Sequence, residues 1–177
     1  MGMKHSAVSA IQILEIGFGT GLNAFLTLLA AGQLGRQIHY TAIERYPLSW
    51  ETVEGLEYSD NPLFRMLHDA IWNTEITITP HFVLHKIEDD FTKYTSFTET
   101  YDVVYFDAFA PEKQPEMWSR QLFEYLYNRM NEGGILTTYC SKGAIRRMLQ
   151  DIGFTVERLP GPSGGKREIL RAKKKNV

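Results

Sequence analysis

Short apolar runs alternate along the chain with longer stretches of helical periodicity. The first run, Gln12–Ile16, ends at Gly17 and predicts a strand buried on both faces, because strands sandwiched between helix layers show continuous rather than alternating hydrophobicity. Leu22–Ala31, rich in Leu and Ala, predicts a helix, and Gln37–Ile43 a second strand. Pro47–Gly55 and Asn61–Ile71 predict two helices, each with a proline near its start. Ile76–Thr79 and Phe82–His85 are short β-like runs separated by Pro80, and Tyr101–Asp107 is the clearest strand of all. Pro115–Met130 predicts a helix stopped by Glu132-Gly133-Gly134, followed by a strand over Ile135–Tyr139 and a helix over Lys142–Asp151 closed by Gly153. Two final strands, Phe154–Leu159 and Glu168–Ala172, are joined by the turn-forming segment Pro160-Gly161-Pro162-Ser163-Gly164-Gly165.

Strand–helix alternation implies an α/β fold: a parallel sheet with helices on both faces. The two consecutive strands at the end break the alternation and predict a C-terminal antiparallel hairpin. The 177 residues suffice for one domain. It is expected over residues 11–172, between a short extension (1–10) and a basic tail (173–177). The lone cysteine, Cys140, allows no internal disulfide and suits a reducing, cytoplasmic setting. No run approaches the roughly 20 apolar residues of a membrane span, and the first ten residues lack a signal-peptide core. The net charge of −2 hides an asymmetry: from Cys140 onward, ten Lys/Arg face three acids. That segment is a candidate phosphate-binding surface; the competing reading, preferred for Lys173 to Lys175, is a solvated helix face with a frayed tail. The histidines and Cys140 form no metal-ligand spacing, so no metal is expected.

Three local patterns carry candidate chemistry. The first is Leu14-Glu15-Ile16-Gly17-Phe18-Gly19-Thr20-Gly21-Leu22-Asn23, between the first strand and the first helix. Ligands of open α/β sheets bind beyond the carboxyl ends of the strands, and glycine permits positive φ and close ligand approach. The Gly-x-Gly-x-Gly spacing differs from the Gly-x-Gly-x-x-Gly of most NAD sites and suits a nucleoside without a pyrophosphate. Glu15 precedes this loop, placed to orient it or to meet a ligand ammonium. The second pattern is Glu44, ending the second strand 23 residues after Gly21. An acid there commonly accepts hydrogen bonds from ribose hydroxyls and repels a 2′-phosphate. The third is Phe106-Asp107-Ala108-Phe109-Ala110-Pro111 and its continuation to Trp118, in which Phe109, Pro111 and Trp118 would wall one carboxylate beside a planar base. Asp107 capping the following loop is the competing reading.

Leu-Glu-Ile-Gly-Phe-Gly-Thr-Gly-Leu-Asn, Phe-Asp-Ala-Phe-Ala-Pro-Glu-Lys-Gln-Pro-Glu-Met-Trp and the late Gly-Gly-Lys-Arg-Glu-Ile-Leu together resemble the MnmC-type methyltransferase family over about Ile11 to Ala172. The resemblance implies a Rossmann-like class I methyltransferase fold, with a mostly parallel seven-stranded sheet and the final antiparallel hairpin. It implies S-adenosylmethionine as methyl donor and, as acceptor, the amine of a 5-aminomethyl wobble uridine in tRNA. Carried over, Gly17, Gly19 and Gly21 form the cofactor loop with Phe18 and Asn23 as further candidates, Glu44 holds the ribose, and Asp107 sits where donor and acceptor meet. The family's acid after the third strand falls near Ile87, which leaves Glu88 and Asp89 as candidates for the adenine. Lys142, Arg146, Arg147, Lys166 and Arg167 are candidate tRNA contacts. The FAD-dependent oxidase half of the bifunctional members has no counterpart in these 177 residues, so a separate oxidase is the implied partner. Small-molecule methyl transfer, aminopropyl transfer and a non-catalytic nucleotide-binding module are the alternatives.

Overall fold

A computed structural model of the chain describes residues 9–161 and 168–176. Lys166, Arg167 and most of the glycine-rich turn before them lie outside these residues. Eight strands form a single sheet: β1 Ile11–Ile16, β2 Ile38–Glu44, β3 Glu75–Thr79, β4 Phe82–Glu88, β5 Tyr101–Phe106, β6 Met130–Thr138, β7 Phe154–Pro160 and β8 Glu168–Lys174. Their order across the sheet is β3-β4-β2-β1-β5-β6-β8-β7. The pairs among β4, β2, β1, β5 and β6 are parallel, whereas β8 runs antiparallel to both β6 and β7. The expected C-terminal hairpin is therefore present. The strand count is eight rather than seven, because the Ile76–Thr79 run pairs antiparallel with β4 and adds an edge strand.

The helices are α1 Leu22–Leu34, α2 Trp50–Glu54, α3 Pro62–Asp69, α4 Arg120–Asn128 and α5 Gly143–Ile152. Left-handed glycines bound α1 at both ends, Gly21 at φ 76° and Gly35 at φ 60°. Helix α2 is shorter than expected, since Ser49 rather than Pro47 begins it: the Ser49 hydroxyl accepts from the Thr52 N–H at 3.3 Å. Asn61 caps α3 in the same way, with Pro62 at the first helical position.

The largest correction concerns Pro115–Met130. It is not one helix but a 3-10 turn over Pro115–Trp118, a break at extended Ser119, and then α4. The Ser119 hydroxyl accepts from the Leu122 N–H at 3.4 Å, which starts a new helix instead of continuing the old one. Met130 already belongs to β6. Gly133 and Gly134 lie inside that strand, where its register against β5 jumps from Tyr101↔Met130 to Val103↔Ile135. A Cβ on Gly134 would lie 2.8 Å from the Asn131 carbonyl oxygen, so these glycines bend a strand rather than stop a helix.

The core lies in two layers. Leu14, Ile16, Phe106, Phe123, Leu136, Leu149 and Leu170 pack between the sheet and α4/α5. Ile13, Phe25, Leu28, Tyr40, Phe64, Leu67 and Leu84 pack on the other face beneath α1 and α3. Continuous burial at the ends of β1 and β2 (Leu14–Ile16, Ala42–Ile43) fixes where these strands stop and where their loops emerge.

Candidate active site

The ends of four parallel strands converge at one rim. Ile16 pairs with Ile43 and Phe106, and Ile43 with Ile87. Just past these pairs the chain is stitched crosswise. The Gly17 N–H donates to the Ile43 carbonyl (2.9 Å), the Asp107 N–H to the Ile16 carbonyl (3.0 Å), and the Asp89 N–H to the Glu44 carbonyl (3.1 Å). A cavity of about 340 Å³ opens there, at the low end of the roughly 300–1,000 Å³ typical of small-molecule sites. Gly17, Gly19, Glu44, Asp89, Asp107 and Phe109, all singled out in the sequence, line it.

Gly17, Gly19 and Gly21 all have positive φ, at 91°, 52° and 76°. The loop is pulled across the cavity mouth by Glu44, which accepts from the Gly19 N–H at 3.0 Å and the Tyr46 N–H at 2.9 Å. A carboxylate offers about four acceptor positions, so two bonds leave capacity for ribose hydroxyls. Nothing lies within 4 Å of where a Gly19 Cβ would stand, so this backbone faces open space.

The remaining loop candidates support it from below. Phe18 is buried, with its ring edge-on to His68 and Trp72. His68 Nε2 lies 3.0 Å from the Thr20 carbonyl oxygen, and a Cβ on Gly21 would meet that same nitrogen at 2.9 Å. Lys86, 1% exposed, donates to the His68 carbonyl at 2.9 Å and stacks over Trp72 and Phe18. Burial pushes its ammonium down to about 8. Sequence reasoning passed over Lys86. Its parity with buried Phe82 and Leu84 along β4 was the available signal.

Glu15 is buried behind the loop. It accepts from the Tyr40 hydroxyl at 2.7 Å and from Asn23 Nδ2 at 3.0 Å. Asn23 Nδ2 also lies 3.5 Å from an Asp107 oxygen. Burial raises the Glu15 carboxyl to about 8; the two hydrogen bonds oppose this, and the nearby charges of Asp107 and Glu44 add to it. Between the ordinary carboxylate value and about 8, folded Glu15 holds a proton that the unfolded chain has released. Its contribution to stability is therefore present at low pH and is lost as pH rises through about 8. Denaturant midpoints measured from about pH 5 to about 9 should fall across this window, and Glu15→Gln should flatten the dependence.

Asp107 stands at the cavity rim, still open to solvent, and burial of one side raises its carboxyl above the ordinary range. The loop that follows is pinned by Trp118, whose indole N–H donates to the Phe109 carbonyl at 2.8 Å. Trp118 is 7% exposed and packs on Phe106 and Phe123. It is therefore a core residue that fixes Phe109, not a wall of the cavity, and Pro111 also lies off the lining. Glu88 is exposed and does not line the cavity, whereas Asp89 does. The neighbouring Asp90, Phe91 and Thr92 were missed. Asp90 accepts from the Thr92 N–H (3.0 Å) and hydroxyl (2.7 Å) and pairs with Arg45 at 3.3 Å. The Asp-Phe-Thr spacing was readable as a side-chain-capped turn. Lys142 pairs with Glu112 and so ties the start of α5 to the loop after Asp107. Arg146 lies on α5, away from the cavity lining and partly buried, with its Nε lacking a hydrogen-bond partner among the described residues.

A glycine shelf at the sheet's switch point, an acid ending the second strand and a terminal antiparallel hairpin together define a nucleoside-dependent methyltransferase fold. Residues 36–175 match the family model described as S-adenosyl-L-methionine-dependent methyltransferase, and the chain belongs to that family. It is 33% identical over 190 residues to the tRNA 5-methylaminomethyl-2-thiouridine biosynthesis bifunctional protein MnmC of Pseudomonas fluorescens (strain Pf0-1), covering 94% of this chain and 27% of that protein. The MnmC protein of Marinomonas sp. (strain MWYL1) is 31% identical over 182 residues, covering 91% and 26%. The chain thus spans about a quarter of the length of these relatives. The crystal structure of MNMC2 from Aquifex aeolicus shares the fold, with a TM-score of 0.74 at 22% identity over 96% of this chain and 55% of that one. Among the described residues no helix is long and apolar enough to cross a membrane, and no cluster of metal-ligating side chains occurs.

Proposed function

We propose that the chain methylates the amine of a 5-aminomethyl-2-thiouridine at the tRNA wobble position. The observation that carries the reading is the meeting of Glu44, the glycine shelf and Asp107 around one cavity. This donor set fits S-adenosylmethionine. Apolar Ile16, Ile43, Phe91 and Met117 suit a planar base, and carboxylates rather than phosphate-binding cations surround the space. The nearest guanidinium, Arg45, is engaged by Asp90. In this reading Glu44 holds the ribose, the Gly17–Gly19 backbone carries the methionine portion, and Asp89 to Thr92 flank the adenine.

S-adenosylmethionine supplies a methyl group on a positively charged sulfur, which keeps the C–S electron pair when an amine takes the methyl. The chain's own residues do the rest. A primary alkylamine is mostly protonated at neutral pH, and Asp107 is positioned to accept that proton and free the nitrogen lone pair. The rigid, Trp118-pinned loop holds Asp107 against the shelf, and such alignment supplies roughly 7–11 kcal/mol of barrier reduction in well-oriented reactions. An FAD-dependent oxidase acting on the same nucleoside, in its own chain or joined to this one, is the matching partner, as the related MnmC proteins are bifunctional. The cytoplasm, where tRNA is modified, is the matching compartment. The similarity to MnmC sequences supports methyl transfer over aminopropyl transfer and over a non-catalytic module.

The assay is label transfer from methyl-labelled S-adenosylmethionine to tRNA carrying the unmethylated 5-aminomethyl wobble base. Label should enter that nucleoside and not spermidine; incorporation into spermidine alone would replace this acceptor. Replacing Glu44 by Ala should weaken donor binding roughly ten- to hundredfold, the effect of losing hydrogen bonds to a charged group. Calorimetry reads this directly.

A further inference from the structure

Asp107 lines two cavities. The second, of about 220 Å³, opens on the other side of its carboxylate, between the first turns of α1 and the ends of β5, β6 and β8. Leu26, Tyr105, Thr137, Tyr139 and Ile169 line it, and among the described residues Asp107 is the one lining residue it shares with the larger cavity. The sequence analysis gave none of these five residues a role in the site.

We propose that this second cavity is the seat of the acceptor base, with Tyr139 as its stacking platform, so that the base approaches Asp107 from the α1–β6 side rather than past Phe109. The inference rests on the functional reading above and specifies its acceptor subsite.

Size, charge and exposure support it. The cavity falls below the usual range for whole small-molecule ligands, which suits a single ring rather than a full purine nucleoside. Its described lining holds a carboxylate and no lysine or arginine. It therefore favours a ring bearing an amine and leaves phosphates outside. Leu26 and Tyr139 are 56% and 51% exposed, a large apolar pair on either side of the opening. Bases in single-stranded loops are recognised by splaying them out and stacking them on such side chains. Thr137 and Asn23 bring hydrogen-bonding groups for the edge of a pyrimidine. The strand registers place Tyr105 beside Thr137 and Thr137 beside Arg171. These three lie on the sheet face opposite α4 and α5 and are half-buried among the described residues.

Two readouts test the subsite. In steady-state transfer to tRNA, Tyr139→Ala should raise the acceptor KM roughly ten- to hundredfold, the loss expected from one stacking platform. Tyr139→Phe should stay near wild type, and donor affinity should be unchanged in both. Equal acceptor KM in Tyr139→Ala would overturn the subsite while leaving the function intact. Independently of any tRNA activity, 5-aminomethyluridine added to the chain saturated with S-adenosylhomocysteine should shift the NMR signals of Leu26, Thr137 and Ile169. Shifts confined to Phe109 and Met117, or no shifts, would overturn it. Absence of label transfer to tRNA in wild type would count against the functional reading instead.

Discussion

Asp107→Asn should lower turnover by ~10²–10⁴-fold, the usual cost of deleting a positioned base, with a much smaller change in S-adenosylmethionine affinity. The amide keeps the side chain's size and an oxygen facing Asn23, 3.5 Å away in the wild type. It loses only the capacity to take a proton from the acceptor ammonium. Single-turnover methyl transfer measured beside calorimetric donor binding separates the two effects. The pH profile adds a second signature. Burial raises the Asp107 carboxyl, so wild-type activity should fall as pH drops into a range above that of an ordinary aspartate, as the carboxylate becomes protonated. That acidic limb should vanish in the variant. A residue that merely capped the loop would change stability and leave the limb in place.

The glycine loop should separate folding from binding. At Gly17 a Cβ would stand 2.7 Å from the Asp107 carbonyl oxygen, at a backbone φ of 91°. Gly17→Ala must therefore push β1 away from β5 as well as adopt a left-handed conformation. The two costs together predict a loss of roughly 2–5 kcal/mol of stability. At Gly19 nothing lies within 4 Å of the added methyl, so Gly19→Ala should lose only the roughly 1–2 kcal/mol of its positive φ. Its methyl group, however, stands where donor backbone contacts are expected. Donor affinity should fall by tenfold or more while the chain stays folded. Denaturant titrations and calorimetry on the two variants should give opposite rankings for stability and for binding relative to stability.

The legible parts of the site were those specified locally. Glycines at a strand–helix junction, an acid ending the next strand and an acid ending the fifth strand reach one rim because parallel pairing aligns strand ends. Gly17, Glu44 and Asp107 could thus be placed from spacing alone. Trp118 could not. An aromatic a few residues past a functional acid reads the same whether it walls a cavity or anchors the core, and Phe106 and Phe123 from distant segments decide it here. The break at Ser119 and the bend at Gly133–Gly134 were hidden for a related reason. Ser and Gly end helices and interrupt strands alike, and the pairing of Val103 with Ile135 settles the choice. The choice between Glu88 and Asp89 depended on where β4 stops: Glu88 is still paired with Glu44 and stays on the sheet, and Asp89 is the first residue to turn over the rim. The second cavity was invisible because it is assembled from α1, β5, β6 and β8, which no sequence period brings together.

The account depends most on the larger cavity taking up a sulfonium nucleoside. Calorimetric titration of S-adenosylmethionine into the full chain tests this directly. One molecule should bind per chain, and Glu44→Ala and Gly19→Ala should each weaken binding at least tenfold without unfolding the protein. No heat of binding in the wild type, or wild-type affinity in both variants, would contradict it.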